Sequence, residues 1–104
     1  DAVIRYISRA AASAEAEGKK TGIIAADETA PLYRHGIVRS IGSRQDEEEI
    51  ARHLYGVLRD FDSDGADVIY SEAFYTPRMG QAIMNRLLKA AGHKIIHITE
   101  EKER

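Results

Sequence analysis

The chain has 104 residues, with 15 lysines and arginines against 17 acidic residues, a formal charge of −2 and no cysteine. These values allow one domain with its own hydrophobic core, and they exclude thiolate metal sites, redox pairs, cysteine nucleophiles and a strongly basic nucleic-acid binder. Because the sequence also lacks an apolar run long enough for a membrane span or a signal peptide, we expect a cytoplasmic protein with no membrane and no direct nucleic-acid partner.

The first part of the chain alternates helix and strand patterns. Apolar residues at helical spacing predict an amphipathic helix over residues 1–17, which Gly18 ends. Residues 21–26 (TGIIAA) form a short apolar run that is typical of a strand buried on both faces. We expect a loop or a helical turn over residues 28–35, with Pro31 placed to start it, and then a second strand over residues 37–41.

Residues 43–49 (SRQDEEE) predict the start of a long helix. Two capping boxes overlap there, one beginning at Ser43 and the other at Asp46. The free N–H groups of this helix could hold an anion with the help of Arg44. The acids of the first turn would repel it, and therefore we favour self-capping.

The remaining patterns complete the predicted fold. Residues 67–73 (DVIYSEA) predict a third strand, residues 83–91 a further helix, and residues 95–98 a short last strand. Strands that alternate with helices through short loops indicate an α/β class, a Rossmann-like three-layer domain with a small, mainly parallel sheet flanked by helices. A ligand of such a domain would lie beyond the carboxyl ends of the strands.

Polar residues stand at those strand ends. Asp27 and Glu28 follow the first strand, Ser43 follows the second and Glu72 lies near the end of the third. Adjacent carboxylates at this position can bind a metal or act in acid–base chemistry, but they more often cap the next helical turn, which is the interpretation we favour. All four residues are candidates for an interface or a ligand site.

The irregular segment 70–80 (YSEAFYTPRMG) is the best candidate for a contact surface. Tyr75 and Arg78 have the composition of an interface anchor, although Phe74 and Tyr75 could equally fold back on the core.

Two polar residues of the next helix join the candidates. Asn85 and Arg86 interrupt an otherwise apolar segment, and we expect Arg86 to pair with Glu72. The four histidines show no metal-ligand spacing, and no serine lies in a nucleophile elbow. We therefore assign no catalytic, cofactor-binding or metal-binding residue.

Three segments carry a resemblance to a known family. Residues 80–91 (GQAIMNRLLKAA), 71–74 (SEAF) and 50–62 (IARHLYGVLRDFD) resemble the C-terminal domain of two-domain L-threonylcarbamoyladenylate synthases, and the order and spacing of the elements match over nearly the whole chain. The resemblance implies a parent nucleotidyltransferase that joins L-threonine, bicarbonate and ATP, with Mg, into threonylcarbamoyl-AMP for the modification of tRNA.

The resemblance also implies a division of labour. The nucleotide and threonine sites would belong to an N-terminal catalytic domain of the same polypeptide, and a linker would cover its active-site mouth. Residues 1–104 would be one accessory domain without a cofactor or activity of its own, and the start at Asp1 suggests a fragment of a longer enzyme. Self-association stays open.

Two other functions are left as alternatives. The crevice near Asp27, Ser43 and Glu72 could make the domain a small-molecule or nucleotide-sensing module. A free-standing enzyme that uses Asp27 or Glu72 as a base is least favoured, because no orienting partner accompanies either carboxylate.

Overall fold

The computed structural model describes residues 2–72, 74, 78, 80–83, 85 and 95–98, with the last four described by their backbone. Residues 80–83 and 85 are helical. The remaining elements, in chain order, are α1 (Ala2–Ala16), β1 (Thr21–Ala25), a 3₁₀ turn (Ala30–Leu32), β2 (Ile37–Ser40), α2 (Glu47–Asp64), β3 (Val68–Glu72) and β4 (Ile95–Ile98).

The four strands form one sheet in the order β2-β1-β3-β4, and each neighbouring pair is parallel. The predicted α/β class and parallel sheet are thus confirmed. The central strand β1 pairs with β2 on one side and with β3 on the other, so Gly22 is in register with both Ile37 and Ile69. The chain passes from β1 to β2 on one side of the sheet and from β3 to β4 on the other side. Ligands of open parallel sheets bind at such a switch point, beyond the carboxyl ends of the two strands.

Helix α1 covers one face of the sheet. Its apolar stripe is typical of an amphipathic helix and packs on every second residue of β1, since alternate side chains of a strand point to opposite faces. The buried residues of this layer are Val3, Ile7, Ala11, Ile23, Ala25 and Tyr33.

Helix α2 covers the other face and makes the larger core. Phe61 is fully buried there and lies against β1 at Gly22, where an added Cβ would be 2.5 Å from the Phe61 Cε1 atom. Only glycine leaves room for the ring so close to the strand. The other buried residues of this layer are Ile24, Ala26, Ile41, Ile50, Leu54, Val57, Ala66, Ile69, Phe74 and Ile83.

The predicted elements up to β3 occur with small shifts at their ends, whereas residues 84 and 86–91 of the last predicted helix lie outside the described residues. The 3₁₀ turn contains Pro31 as expected, and β4 covers the predicted residues 95–98. Phe74 is fully buried in the α2 layer, so this half of the aromatic pair belongs to the core. Within the described ranges, no helix is both long and apolar enough to cross a membrane.

Candidate functional site

The carboxyl ends of β1, β2 and β3 meet at one edge of the sheet. The backbone N–H of Ile41 donates to the carbonyl of Ala25 at 3.0 Å, and the N–H of Asp27 donates to the carbonyl of Gly42 at 2.9 Å. These bonds tie the loop after β1 to the β2–α2 turn, residues 41–46. The polar residues predicted at the strand ends are therefore brought together here.

Glu72, the last residue of β3, is the buried centre of this edge. Its side chain is 1% exposed, and its Oε2 atom accepts hydrogen bonds from the hydroxyls of Thr29, at 2.7 Å, and Tyr33, at 2.5 Å. Its Oε1 atom forms an ion pair with the guanidinium of Arg44. A buried carboxylate is costly unless it is paired and hydrogen-bonded, and this one is both.

Two loops carry these partners to Glu72. The 3₁₀ turn that contains Pro31 folds the chain back after β1, so that Thr29 and Tyr33 both face the end of β3. Arg44 comes from the β2–α2 turn, and its guanidinium lies 4.9 Å from the centroid of the Phe74 ring. Stacking on an aromatic ring orients a guanidinium in addition to its ion pair.

The environment of Tyr33 holds its phenol in the neutral form. Burial raises the pKa of Tyr33 far above its ordinary value, and the hydrogen bond to the negative Glu72 raises this pKa further. The Tyr33 hydroxyl therefore keeps its proton, and donates to Glu72, to a higher pH than the hydroxyl of an ordinary tyrosine would.

Asp27 and Glu28 fasten the β2–α2 turn from the outside. Asp27 accepts a hydrogen bond of 2.6 Å from the Ser40 hydroxyl. Glu28 accepts one of 2.6 Å from the Ser43 hydroxyl and one of 3.0 Å from the backbone N–H of Arg44. The hydrogen bond from Ser43, with that from the Arg44 backbone, lowers the pKa of Glu28 below its ordinary value.

This arrangement corrects one expectation. The carboxylates do not cap the helical turn that follows β1. The N-cap residue of that turn is Thr29, which makes no side-chain cap and instead donates to Glu72. Asp27 and Glu28 bind the neighbouring turn, which only the folded sheet brings beside them.

The start of α2 is self-capped, as predicted. Asp46 is the N-cap and accepts from the backbone N–H of Glu49 at 3.1 Å. The carboxylate of Glu49 accepts from the N–H of Ser43 at 3.3 Å, whereas the N–H of Asp46 donates to the Ser43 carbonyl. Gly42 has a φ of 120°, and an added Cβ would be 2.7 Å from Glu49 Oε1, so the turn requires glycine there.

The edge is filled and acidic. The Glu72 carboxylate is almost inaccessible to solvent and already bound, so it cannot approach a substrate as a base. Among the described residues, no group of three metal-ligating side chains comes together. The strand-end loops and the first turn of α2 carry seven carboxylates, those of Asp27, Glu28, Asp46, Glu47, Glu48, Glu49 and Glu72.

The remaining predicted candidates lie apart from this cluster or outside the described residues. Arg78 is exposed and binds Glu47, with its Nε atom 2.9 Å from the carboxylate. Asn85 is exposed on the last described helix. Tyr75 and Arg86 lie outside the described residues, so the pairing of Arg86 with Glu72 stays a prediction.

Thr29 and Tyr33 were not among the predicted site residues. Both stand in the turn after a buried strand, a position from which side chains reach the switch point of a parallel sheet. The available signal was a side-chain hydroxyl two residues before and two residues after Pro31.

Comparisons with known proteins agree on one family. The protein-family model that matches residues 3–92 is described as the C-terminal domain of threonylcarbamoyl-AMP synthase. The chain is 42% identical over 79 residues to the threonylcarbamoyl-AMP synthase of Bacillus subtilis, which covers 76% of this chain and 23% of that protein. It is 40% identical over 98 residues to the Pyrococcus abyssi threonylcarbamoyl-AMP synthase, which covers 94% of this chain and 27% of that protein.

Solved structures show the same similarity in three dimensions. A doubly substituted variant of Pyrococcus abyssi Sua5 superposes with a TM-score of 0.74 at 38% identity, over 92% of this chain and 26% of that chain. A crystal structure of the C-terminal Sua5 domain of Pyrococcus horikoshii gives 0.67 at 31% identity, over 92% of this chain and 85% of that chain. The second structure is an isolated domain of similar length, so a domain of this kind folds on its own.

Proposed function

Since this chain belongs to the family of threonylcarbamoyl-AMP synthase C-terminal domains, we propose that it is the accessory half of an enzyme that makes threonylcarbamoyl-AMP from L-threonine, bicarbonate and ATP for tRNA modification. The chain spans about a quarter of the length of the curated relatives it matches, 23% and 27%. The bond-making groups, the ATP and its Mg are assigned to a catalytic domain of the same polypeptide, in the cytoplasm.

The filled edge of the sheet is the observation that supports an accessory role. An open parallel sheet normally binds its ligand at the switch point, but here Tyr33, Arg44 and Glu72 occupy that position with their own ion pair and hydrogen bonds. Because these side chains bind one another, they form a rigid surface and leave no open pocket for a ligand there. A rigid surface suits a domain that docks on its catalytic partner and helps to close the active site over the substrates.

The nucleotide-sensing alternative gains no support from this edge, because seven carboxylates would repel a nucleotide phosphate. Thermal unfolding in the presence of nucleotides and amino acids tests it directly. A specific ligand at 100 times its Kd stabilises a folded domain by about 2.7 kcal/mol, and a response of that size would favour the sensor over the accessory role.

Synthesis assays on matched proteins test the accessory role. The full-length chain, the chain truncated before this domain and the isolated 104-residue domain are compared for pyrophosphate release that depends on both threonine and bicarbonate. We expect no release by the isolated domain and slower release by the truncated chain, partly restored when the domain is added back. Unchanged release after truncation, or turnover of ATP by the isolated domain, would contradict the proposal.

A further inference from the structure

The outer face of α2, opposite its buried stripe, carries a feature that the domain itself does not explain. Gly56 lies near the middle of this 18-residue helix, is exposed, and has no atom within 4 Å of the position that a Cβ would take. Glycine in the interior of a helix is unfavourable relative to alanine. Within the described structure, no close contact requires a glycine at position 56.

The residues around Gly56 share this outer face. Arg52 lies four positions before Gly56 and Arg59 three positions after it, and this spacing places side chains on one helical face. Tyr55 lies directly beside Gly56, three positions after Arg52 and four before Arg59. Tyr55 is 53% exposed. Arg52 and Arg59 are exposed, and neither pairs with another described residue, although Glu48 stands one turn before Arg52 and binds Arg78 instead.

From this arrangement we propose that the face formed by Arg52, Tyr55, Gly56 and Arg59 docks on an acidic surface of the catalytic domain, which approaches the α2 backbone at Gly56. The inference rests on the proposed function, which supplies the occupant: about three quarters of each curated relative lies outside the region matched by this chain. A partner that buries two arginines must supply carboxylates, because unpaired buried charges are strongly unfavourable. Tyrosine and arginine are also among the side chains enriched in the hot spots at the centres of interfaces.

Helix α1 offers a matched control on the opposite face of the sheet. Its outer surface carries Arg5, Tyr6 and Arg9, and Tyr6 is 53% exposed, as Tyr55 is. The composition and exposure are therefore similar, but the helix has no glycine between these side chains. If charge and an aromatic ring alone defined the docking surface, the two helices would behave alike.

Cysteine labelling locates the face, because the chain has no cysteine of its own. Gly56→Cys and, as the control on α1, Ser13→Cys are labelled with a maleimide in the isolated domain and in the full-length chain, and the modified peptides are counted by mass spectrometry. We expect the full-length chain to slow labelling of Gly56→Cys about tenfold, since an interface core excludes solvent, and to leave Ser13→Cys unchanged. Equal rates for Gly56→Cys in the two proteins would overturn the inference.

The same assay identifies other occupants. Protection of Gly56→Cys in the isolated domain that rises with protein concentration would assign the face to a second copy of the chain. Protection on addition of tRNA would assign it to RNA. Either result would overturn docking on the catalytic domain.

A leucine at position 56 separates a docking defect from a folding defect. Gly56→Leu should raise the Tm of the isolated domain by about 3–6 °C, because leucine is the better helix former, and should lower synthesis by the full-length chain. Reversing charge in Arg52→Glu with Arg59→Glu should lower synthesis too, whereas Arg5→Glu with Arg9→Glu should leave it unchanged. Full synthesis by Gly56→Leu would contradict the inference.

Synthesis by the truncated chain separates a failure of the proposed docking face from a failure of the proposed accessory role. If truncation slows synthesis while Gly56→Cys stays open to the maleimide, the accessory role stands and only this docking face is wrong. If truncation has no effect, the proposed function itself fails.

Discussion

The guanidinium of Arg44, in the β2–α2 turn, is paired with the carboxylate of Glu72, which ends β3 and is 1% exposed. The pair joins the loops of two strands that are not neighbours in the sheet, since β1 lies between β2 and β3. The carboxyl edge of the sheet is therefore held by side chains as well as by backbone pairing, and its stability can be tested residue by residue.

Replacing Glu72 with alanine should lower the free energy of unfolding by about 3–5 kcal/mol. The change leaves the guanidinium of Arg44 and the hydroxyls of Thr29 and Tyr33 without the carboxylate that accepts from them. Glu72→Gln should cost less, since the amide oxygen can still accept from Tyr33. Urea unfolding measures both. Glu17→Gln, at a side chain that is 61% exposed, is the control and should change stability by less than about 0.5 kcal/mol.

Removing the Glu28 carboxylate should flatten the loss of stability in acid. The pKa of Glu28 is lower in the folded domain than in the unfolded chain, so this group stabilises the fold above the unfolded value and ceases to do so as the pH falls through the folded value. Unfolding free energies of the wild type and Glu28→Gln between about pH 5 and pH 3 check this. Ser43→Ala, which removes the main hydrogen bond, should flatten the curve as well, and identical slopes in all three proteins would refute the assignment.

Tyr33→Phe should reduce the loss of stability in alkali. Burial and Glu72 raise the pKa of Tyr33 in the folded domain, so the folded state keeps its proton where the unfolded chain loses it. The contribution of this group is complete below the unfolded value of about 10 and is lost as the pH rises above it. Unfolding free energies over this range, with tyrosinate absorbance recorded alongside, should show a shallower decline in Tyr33→Phe; parallel curves would count against it.

Gly22→Ala should destabilise the domain by about 1–3 kcal/mol, because its Cβ would overlap the Phe61 ring and force that side chain to move. A double-mutant cycle with Phe61→Leu provides the control. The two changes together should cost less than the sum of the single changes, since the smaller side chain makes room for the methyl group. Additive costs would show that the ring is not the obstacle.

Much of this fold follows from local patterns in the sequence. The apolar stripe of α2 and the acids of its first turn define a helix from neighbouring residues alone. The buried run of β1 and the alternation of helices with strands lead to the parallel sheet. The choice between the two capping boxes could not be made locally, since Ser43 and Asp46 have equivalent partners in the sequence and the folded turn decides between them.

The position of the candidate site could be predicted from the sequence, but its side-chain contacts could not. The rule that carboxyl ends of parallel strands meet brings Glu28 close to Ser43, and the structure places them 2.6 Å apart. The partners of Glu72 depend on side-chain conformations across long sequence separations, and no periodicity encodes those. In the sequence Tyr33 is an ordinary turn residue, and only the folded structure shows that its hydroxyl donates to Glu72.

The central position of β1 has a consequence for how the chain folds. Gly22 must find both Ile37 and Ile69, so its strand is complete only after a loop that includes all of α2 has closed. Such long-range pairing is slow because the entropy of loop closure is lost before the contacts form. We therefore expect a nascent chain that ends before β3 to lack the native sheet, and the domain to assemble in one cooperative step only after β3 and β4 have both emerged.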